Sequence, residues 1–204
     1  MLITSMTKAG RTKTRITIDE DLSMVLSDRV ISIYDFHENK EIPEEILENL
    51  LAQLRQDAVR KCGDLLSRSD YSEKGLRDKL LQAGYPDIVA DETIHRMKEA
   101  HYVDDRRMAE SYIRYHAKDR SLLRIRMDLQ KRGIREDLIR ELIEEAEETM
   151  GEEIRGLEQE QIRAYMRRKH YDPEAADQAA RQKMTAFLLR KGYTQEAVRR
   201  AFRG

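Results

Sequence analysis

Apolar residues recur at helical spacing from about residue 42 almost to the C-terminal end of the chain. Within this region one pattern returns three times, with large apolar residues eight and four positions before a glycine and another apolar residue just after it. The glycines are Gly84, Gly133 and Gly192. A spacing of four places the apolar side chains on one helix face, and a glycine just past the last turn suits a left-handed C-cap. The pattern predicts three stacked repeats, each ordered helix, helix, glycine, helix.

Prolines, acidic residues and capping residues divide the repeats into helices. The predicted helices of the first repeat are 43–69, 72–83 and 86–100. In the second repeat, one helix starts at Asp104-Asp105, one spans 121–132 with Ser121 as its cap, and one spans 135–149. In the third repeat, one helix starts at about 152, one restarts at Asp172-Pro173-Glu174, and a last short helix is capped by Thr194. The predicted domains are an N-terminal segment 1–42 and repeats 43–103, 104–150 and 151–204.

The N-terminal segment has a different pattern. Residues 1–12 suggest a frayed start, whereas 14–27 alternate apolar and polar positions on both sides of an acidic turn at 19–21. Alternation of this kind predicts a β-hairpin, which must lie on another surface because two strands alone are marginal in water. A short helix within 28–37 is predicted to direct three apolar side chains towards that surface: Val30, Ile33 and Tyr34.

The repeats predict an all-α fold, in which three tandem three-helix repeats form an elongated, curved array with a small N-terminal β-hairpin, and composition is compatible with it. The 204 residues contain only three prolines and nine glycines, so long helices are favoured and many-stranded folds are not. The single Cys62 excludes an internal disulfide and fits a reducing compartment. No apolar run approaches the ~20 residues of a membrane helix. We therefore expect a soluble, cytoplasmic, monomeric protein without a membrane partner.

The net charge of −1 hides a strong segregation of charge along the chain. Residues 104–135 hold ten Lys and Arg against five Asp and Glu, 136–160 hold two against eleven, and 161–204 hold eleven against four. Because cations outnumber nearby anions about two to one in the first and third of these stretches, helical ion pairs cannot neutralise them all. A solvated face laced with ion pairs is one interpretation. The other is a face that binds an anionic partner, either nucleic acid or an acidic protein groove.

Several of these cations fall just before the repeat glycines, where helix ends line up in a stacked array. We name twelve candidate partner-binding residues: Arg77, Arg106, Arg107, Arg114, Arg124, Arg126, Lys131, Arg132, Arg168, Lys169, Arg190 and Lys191.

Catalytic patterns are missing from the sequence. The histidines are scattered without zinc-type spacing: His37, His95, His101, His116 and His170. No phosphate-binding glycine loop is found, and Asp104-Asp105 fit a helix start better than a catalytic pair. Cys62 lies on an apolar stripe, which indicates a buried structural thiol. We expect neither enzymatic activity nor a cofactor nor a metal.

Three motifs in order resemble the RecX regulatory proteins. They are Ser72-x-x-x-Leu76-Arg77-x-Lys79-Leu80-x-x-x-Gly84, Tyr102-Val103-Asp104-Asp105-x-x-x-Ala109-x-x-Tyr112 and Ile125-x-x-x-Leu129-x-x-x-Gly133-Ile134. The resemblance implies three tandem three-helix repeats in a bacterial cytosolic protein. It also implies binding in the groove of the RecA filament, with inhibition of ATP hydrolysis and strand exchange and restraint of co-protease activity.

Two features depart from the family pattern. Lys118-Asp119-Arg120-Ser121 stand where the family often has glycine and proline, and the acidic run through 136–160 is heavy for the family. The expected partners are therefore the RecA filament and also DNA itself, through direct contact. The alternative function is a stand-alone helical nucleic-acid-binding protein, for which Tyr112, Tyr115, Tyr165, Tyr171 and Tyr193 are the available aromatic platforms, although Tyr112 and Tyr165 fit core positions better.

Overall fold

A computed structural model describes residues 1–203. Its elements are, in chain order, β1 (Ile3–Lys8), β2 (Lys13–Ile18), β3 (Leu22–Ser27), α1 (Asp28–Ile33), α2 (Glu44–Leu66), α3 (Glu73–Ala83), α4 (Asp87–Glu99), α5 (Asp105–His116), α6 (Leu122–Lys131), α7 (Glu136–Arg168), α8 (Gln178–Arg190) and α9 (Gln195–Ala201). They fall into two compact units, unit 1 (Met1–Asp104) and unit 2 (Asp105–Gly204). The predicted helical repeats and N-terminal β element are confirmed, while the division into four domains stays a prediction.

The predicted hairpin is formed by β2 and β3, with Ile16 opposite Met24. Both side chains are fully buried, and Asp19 and Glu20 turn the chain with positive φ angles of 48° and 66°. The prediction of a frayed start at residues 1–12 was wrong, because β1 adds a third antiparallel strand beside β2. Only Ile3 of β1 is fully buried, so this edge strand lacks the alternation that would reveal it in the sequence.

The short helix α1 begins after Ser27, whose side chain accepts a hydrogen bond from the Val30 amide. Val30 and Tyr34 pack against the sheet core, as predicted. The prediction for Ile33 was wrong: its side chain is 65% exposed, since α1 ends at this residue and turns it away from the sheet.

Helix α2 contributes to two cores of unit 1. Leu47 and Leu50 lie in the core beneath the sheet, whereas Ala58 and Cys62 lie in the core of the first bundle, formed with α3 and α4. Burial raises the pKa of the Cys62 thiol to about 11. One continuous helix therefore ties the β element to the first bundle.

Helix α7 has the same double role in unit 2. Its first half completes the second bundle with α5 and α6, and Ile162 and Met166 complete the third bundle with α8 and α9. The predicted break between 149 and 152 coincides with a kink at Met150 (φ −128°, ψ 18°), where two helical segments join within the 33 residues of α7 without a loop between them. Thr149 and Gly151, both capping-type residues, flank the kink, whereas glutamate, a good helix former, is frequent on both sides of it.

The predicted restart at Asp172-Pro173 was wrong. Asp172 Oδ1 accepts a hydrogen bond from the Glu174 amide, which closes a local turn instead of a long helix. Helix α8 starts at Gln178, capped by the Asp177 side chain on the Ala180 amide. Two acidic caps thus compete, and the later one begins the helix.

The repeat glycines adopt the left-handed conformation predicted for helix ends. Gly84, Gly133 and Gly192 have φ angles of 92°, 87° and 95°. The predicted caps are confirmed as well, since the Ser121 and Thr194 side chains accept hydrogen bonds from the amides of Arg124 and Ala197. Within residues 1–203, no helix has both the length and the apolar character needed to cross a bilayer.

Candidate functional site

The first repeat glycine contacts the β element of unit 1. The Gly84 carbonyl accepts a hydrogen bond from the Val25 amide at 2.8 Å, and any side chain on Gly84 would overlap the Val25 side chain. A cavity of 220 Å³ lies beside this contact, and its only charged lining residues are Lys13 and Asp57. We call this contact the first seam; its lining carries no net charge.

The third repeat glycine makes an analogous contact between the second and third bundles of unit 2. A Cβ atom on Gly192 would lie 3.1 Å from Leu123 Cβ and would overlap Ser121 Oγ. Ser121 Oγ donates a hydrogen bond to the Lys191 carbonyl at 2.8 Å. The end of α8 therefore rests on the start of α6, and we call this contact the second seam.

A buried polar chain reinforces the second seam. Gln161 Nε2 donates to the Ala117 carbonyl at 2.8 Å, and the Tyr193 hydroxyl donates to Gln161 Oε1 at 2.8 Å. Tyr193 is 4% exposed, and burial raises the pKa of its hydroxyl. Because the amide and hydroxyl satisfy each other, both polar groups can be buried between the bundles.

A cationic cleft opens along the second seam. One part, of 480 Å³, is lined by Asp119, Arg120, Ser121, Arg124, Tyr165, Arg190, Lys191 and Tyr193. The adjoining part, of 330 Å³, is lined by Tyr165, Arg168, Lys169, Phe187 and Lys191. Six of these side chains are cationic, and only Asp119 is acidic. The cleft therefore concentrates positive charge over an aromatic floor.

The cations that the third bundle contributes to the cleft, from the ends of α7 and α8, have no carboxylate partner in the described part of the chain. They are Arg168, Lys169, Arg190 and Lys191, and all four are exposed. The two lysines lie over aromatic rings instead, with Lys169 Nζ 4.5 Å and Lys191 Nζ 5.7 Å from the centre of the Phe187 ring. Cation–π contacts of this kind hold the lysines in place but leave their charge uncompensated.

The cations on the α6 side of the cleft are held by Asp128, whose side chain is 11% exposed. Arg120 Nη1 lies 2.7 Å from Asp128 Oδ2, and Arg124 Nε lies 3.2 Å from Asp128 Oδ1. Arg120 also donates to the Tyr112 hydroxyl at 2.7 Å. These contacts fix the direction of two guanidinium groups towards the cleft.

Three other candidate cations are paired within the chain. Arg77 bonds to Asp91 and Asp87 of α4, and these hydrogen bonds raise its pKa. Arg106 on α5 lies 3.2 Å from Glu145 on α7 and also pairs with Glu110 and Glu141. Arg126 pairs with Glu136 across the Gly133 turn. These pairs join helices within one bundle.

Four further candidates lie outside the cleft lining on the surface of the second bundle. Arg107, Arg114, Lys131 and Arg132 are exposed, and Arg132 lies 4.8 Å from the centre of the Tyr112 ring. The structure therefore brings together Arg124, Arg168, Lys169, Arg190 and Lys191 out of the twelve candidates.

Sequence reasoning left Arg120 and Phe187 out of the candidate site and assigned Tyr165 to the core. Tyr165 and Phe187 do pack on the core of the third bundle, but both are only half-buried and line the cleft. Within residues 1–203, no cluster of three or more His, Cys, Asp or Glu side chains is arranged to hold a metal ion. The arrangement is suited to binding an extended anion.

Family models and known proteins agree with this architecture. The chain matches the first three-helix domain of RecX at residues 58–97, the second at 104–143 and the third at 157–202. It is 28% identical over 203 residues to the regulatory protein RecX of Bacillus velezensis, covering 97% of this chain and 74% of that protein. It is 26% identical to the regulatory protein RecX of Clostridium botulinum, covering 97% and 92%.

Solved structures show the same fold. A crystal structure of a regulatory protein RecX matches with a TM-score of 0.63 at 18% identity, covering 96% of both chains. RecX from Lactobacillus salivarius matches with a TM-score of 0.62 at 19% identity, covering 74% of this chain and 96% of that one. The three consecutive domain matches together span more than half of the sequence, and the chain belongs to the RecX family of regulatory proteins.

Proposed function

We propose that this chain binds the RecA–DNA filament and modulates it, inhibiting ATP hydrolysis and strand exchange and restraining co-protease activity. Membership of a regulatory family supports a regulatory role. The observation that carries the proposal is the cationic cleft, in which four exposed cations on one side lack a carboxylate partner in the described part of the chain.

The geometry of the cleft fits a phosphate-bearing partner. Guanidinium groups bind phosphate through paired N–H donors, and lysines add point charges along an extended anion. Binding of this kind releases counterions and weakens as salt rises. A filament that already carries DNA would therefore be attracted to this cleft.

The polar groups of the cleft favour binding over chemistry. Ser121 Oγ donates to the Lys191 carbonyl and accepts from the Arg124 amide, so its proton and one lone pair are engaged in structural hydrogen bonds. The Tyr193 hydroxyl donates to Gln161, and its pKa is raised by burial. Neither hydroxyl is activated as a nucleophile, and we propose a regulator without enzymatic activity.

The second candidate function is binding of bare nucleic acid. The half-buried rings of Tyr165 and Phe187 favour it, because bases stack on aromatic side chains beside cations. The two candidates differ in one measurable property, which is the preference for RecA-coated over bare single-stranded DNA.

The double variant Arg190→Gln/Lys191→Ala tests the cleft. It replaces the two residues before Gly192 with the residue types found before Gly84, which are Gln82 and Ala83. We expect wild-type protein to bind RecA-coated DNA more tightly than bare DNA and to inhibit RecA ATP hydrolysis. The variant should lose about tenfold or more in affinity. The slope of log affinity against log salt concentration, called the salt slope below, should fall by about 1.4 if both cations contact phosphates.

Arg181→Gln/Lys183→Ala is the matched control, because it removes the same charges from exposed positions of α8 outside the cleft. It should bind like wild type. Equal affinity of wild type for bare and coated DNA would favour the nucleic-acid binder. Unchanged binding by the cleft variant would exclude the cleft as the site.

A further inference from the structure

Helix α6 exposes two large apolar side chains on its outward face. Leu123 is 49% exposed and Met127 is 42% exposed. Residues four apart on a helix are neighbours, so the two side chains form one apolar strip, which we call the α6 strip. Both residues lie outside the core of the second bundle, to which α6 contributes Ile125 and Leu129 from its opposite side.

The repeats themselves supply the comparison. Leu123 and Met127 lie ten and six positions before Gly133. The same positions before Gly84 hold Lys74 and Asp78, which form an ion pair at 2.6 Å on the surface of α3. Before Gly192 they hold Gln182 and Ala186, both exposed. The other repeats thus accept polar or small residues here. In the second repeat Leu123 also packs beside Gly192 of the second seam, whereas Met127 is not part of the core of its bundle.

Cations without carboxylate partners in the described part of the chain lie at both ends of the α6 strip. Leu123 packs beside Gly192, which follows Arg190 and Lys191 of the cleft. Lys131 lies one turn beyond Met127 on the same face and is exposed. An apolar centre with a charged border is the usual arrangement of a protein-binding patch.

We infer that the α6 strip is a protein-contact face that inserts into an apolar depression bordered by carboxylates on the protein component of the filament. The inference rests on the proposed function and assigns the cleft and the strip to different components of one partner. Leucine and methionine side chains offer no charge or hydrogen-bond donor to a phosphate group. The flexible methionine side chain, in contrast, adapts well to an apolar protein surface. A small apolar anchor surrounded by polar contacts carries much of the affinity in many protein interfaces.

The double variant Leu123→Lys/Met127→Asp tests the inference. It transfers the ion pair of α3 to α6 and leaves the net charge unchanged. Affinity for RecA-coated DNA should fall about 30-fold, a loss typical of hot-spot residues. Affinity for bare single-stranded DNA and its salt slope should stay unchanged, because the added lysine and aspartate pair with each other and the net charge stays the same.

Gln182→Lys/Ala186→Asp is the matched control, since it places the same pair at the same positions of the third repeat; it should bind like wild type. Met127→Gln alone leaves Leu123 against Gly192 and should give a smaller loss, which keeps the test valid if the double variant melts early.

Equal binding of coated DNA by wild type and by both α6 variants would overturn the inference. A parallel loss on bare DNA would overturn it too, because the strip would then contact nucleic acid. If wild type itself does not bind RecA-coated DNA, the proposed function is wrong, and this inference, which rests on it, is wrong as well.

Discussion

The first and second seams are built on the same glycine yet differ in charge and in bonding. At the first seam, Gly84 meets Val25 through a backbone hydrogen bond, beside a cavity whose two charged residues cancel. At the second seam, Gly192 meets Ser121, beside a cleft with six cations and one acid. The glycine contact is therefore a structural device common to both units, and the surrounding side chains decide which seam can bind an anion.

The bonding differs in a way that substitutions can exploit. A backbone hydrogen bond survives most side-chain changes, whereas the second seam depends on the side chains of Ser121, Gln161 and Tyr193. The second seam should therefore be the more easily broken by substitution.

The largest effect is expected from alanine at either glycine. Gly84→Ala and Gly192→Ala should each lower the free energy of unfolding by about 3 kcal/mol, because both residues have positive φ and a Cβ atom would overlap a neighbour. Urea unfolding followed by circular dichroism measures this. Only Gly192→Ala should also weaken binding to coated DNA, since it displaces a wall of the cleft.

Gly156→Ala is the control for these variants. No atom lies near its added Cβ within 4 Å, and it should stabilise α7 by about 0.5–1 kcal/mol. Similar losses at all three positions would show that the contacts at the seams are irrelevant.

Next in size is Tyr193→Phe, which removes the hydroxyl that bonds to Gln161 Oε1. Gln161 is 9% exposed, so its orphaned oxygen should cost about 1–2 kcal/mol of unfolding free energy. Hydrogen exchange at the start of α6 and the end of α8 should rise while the first seam stays protected. Uniform exchange throughout both units would contradict a local role for this bond.

A smaller effect is expected from Arg106→Gln, which tests the paired cations against those of the cleft. Arg106 is 41% exposed and shared by three glutamates, so solvent screens its ion pairs. Its loss should lower the unfolding free energy, measured in urea, by less than Tyr193→Phe does. Affinity for coated DNA should not change. A loss of affinity without a loss of stability would place Arg106 in the interface.

The smallest effect is expected from Glu158→Gln in α7. Burial, with a further contribution from Glu147, raises the pKa of Glu158, and Arg200 opposes this only in part. A raised carboxyl pKa favours folding while the group is protonated, and that stability is lost as pH rises through the folded pKa. The glutamine side chain imitates the protonated carboxyl group, so the melting temperature of the variant should exceed that of wild type at pH 8. The difference should vanish below about pH 4; a constant difference at all pH values would contradict this origin.

Local signals made the helix ends predictable. Gly84 and Gly192 follow apolar stripes of period four, and Ser121 and Thr194 are residue types whose oxygen accepts from the first turn. Each of these assignments depends on residues that are close together in the sequence. Asp172 shows the limit, because Asp177 is an equally good cap five residues later and only packing of the third bundle selects it.

The candidate site was predictable only in part. The cations before Gly192 were visible in the sequence, and so was the idea that helix ends meet in a stacked array. Which cations are neutralised was not visible, because Arg106 finds Glu141 and Glu145 more than thirty residues away. Phe187 was missed, and Tyr165 was assigned to the core in preference to a binding surface, because half-buried aromatic residues follow the same periodicity as core residues.

The burial of Cys62 has a practical consequence for measuring these contacts. Its thiol is fully enclosed and, with a pKa of about 11, is almost entirely protonated at neutral pH, so maleimide reagents should leave it untouched. A cysteine introduced at exposed Lys118 would then be the sole labelling position. A single fluorophore there would report docking of unit 2 in real time, without first removing the native sulfur.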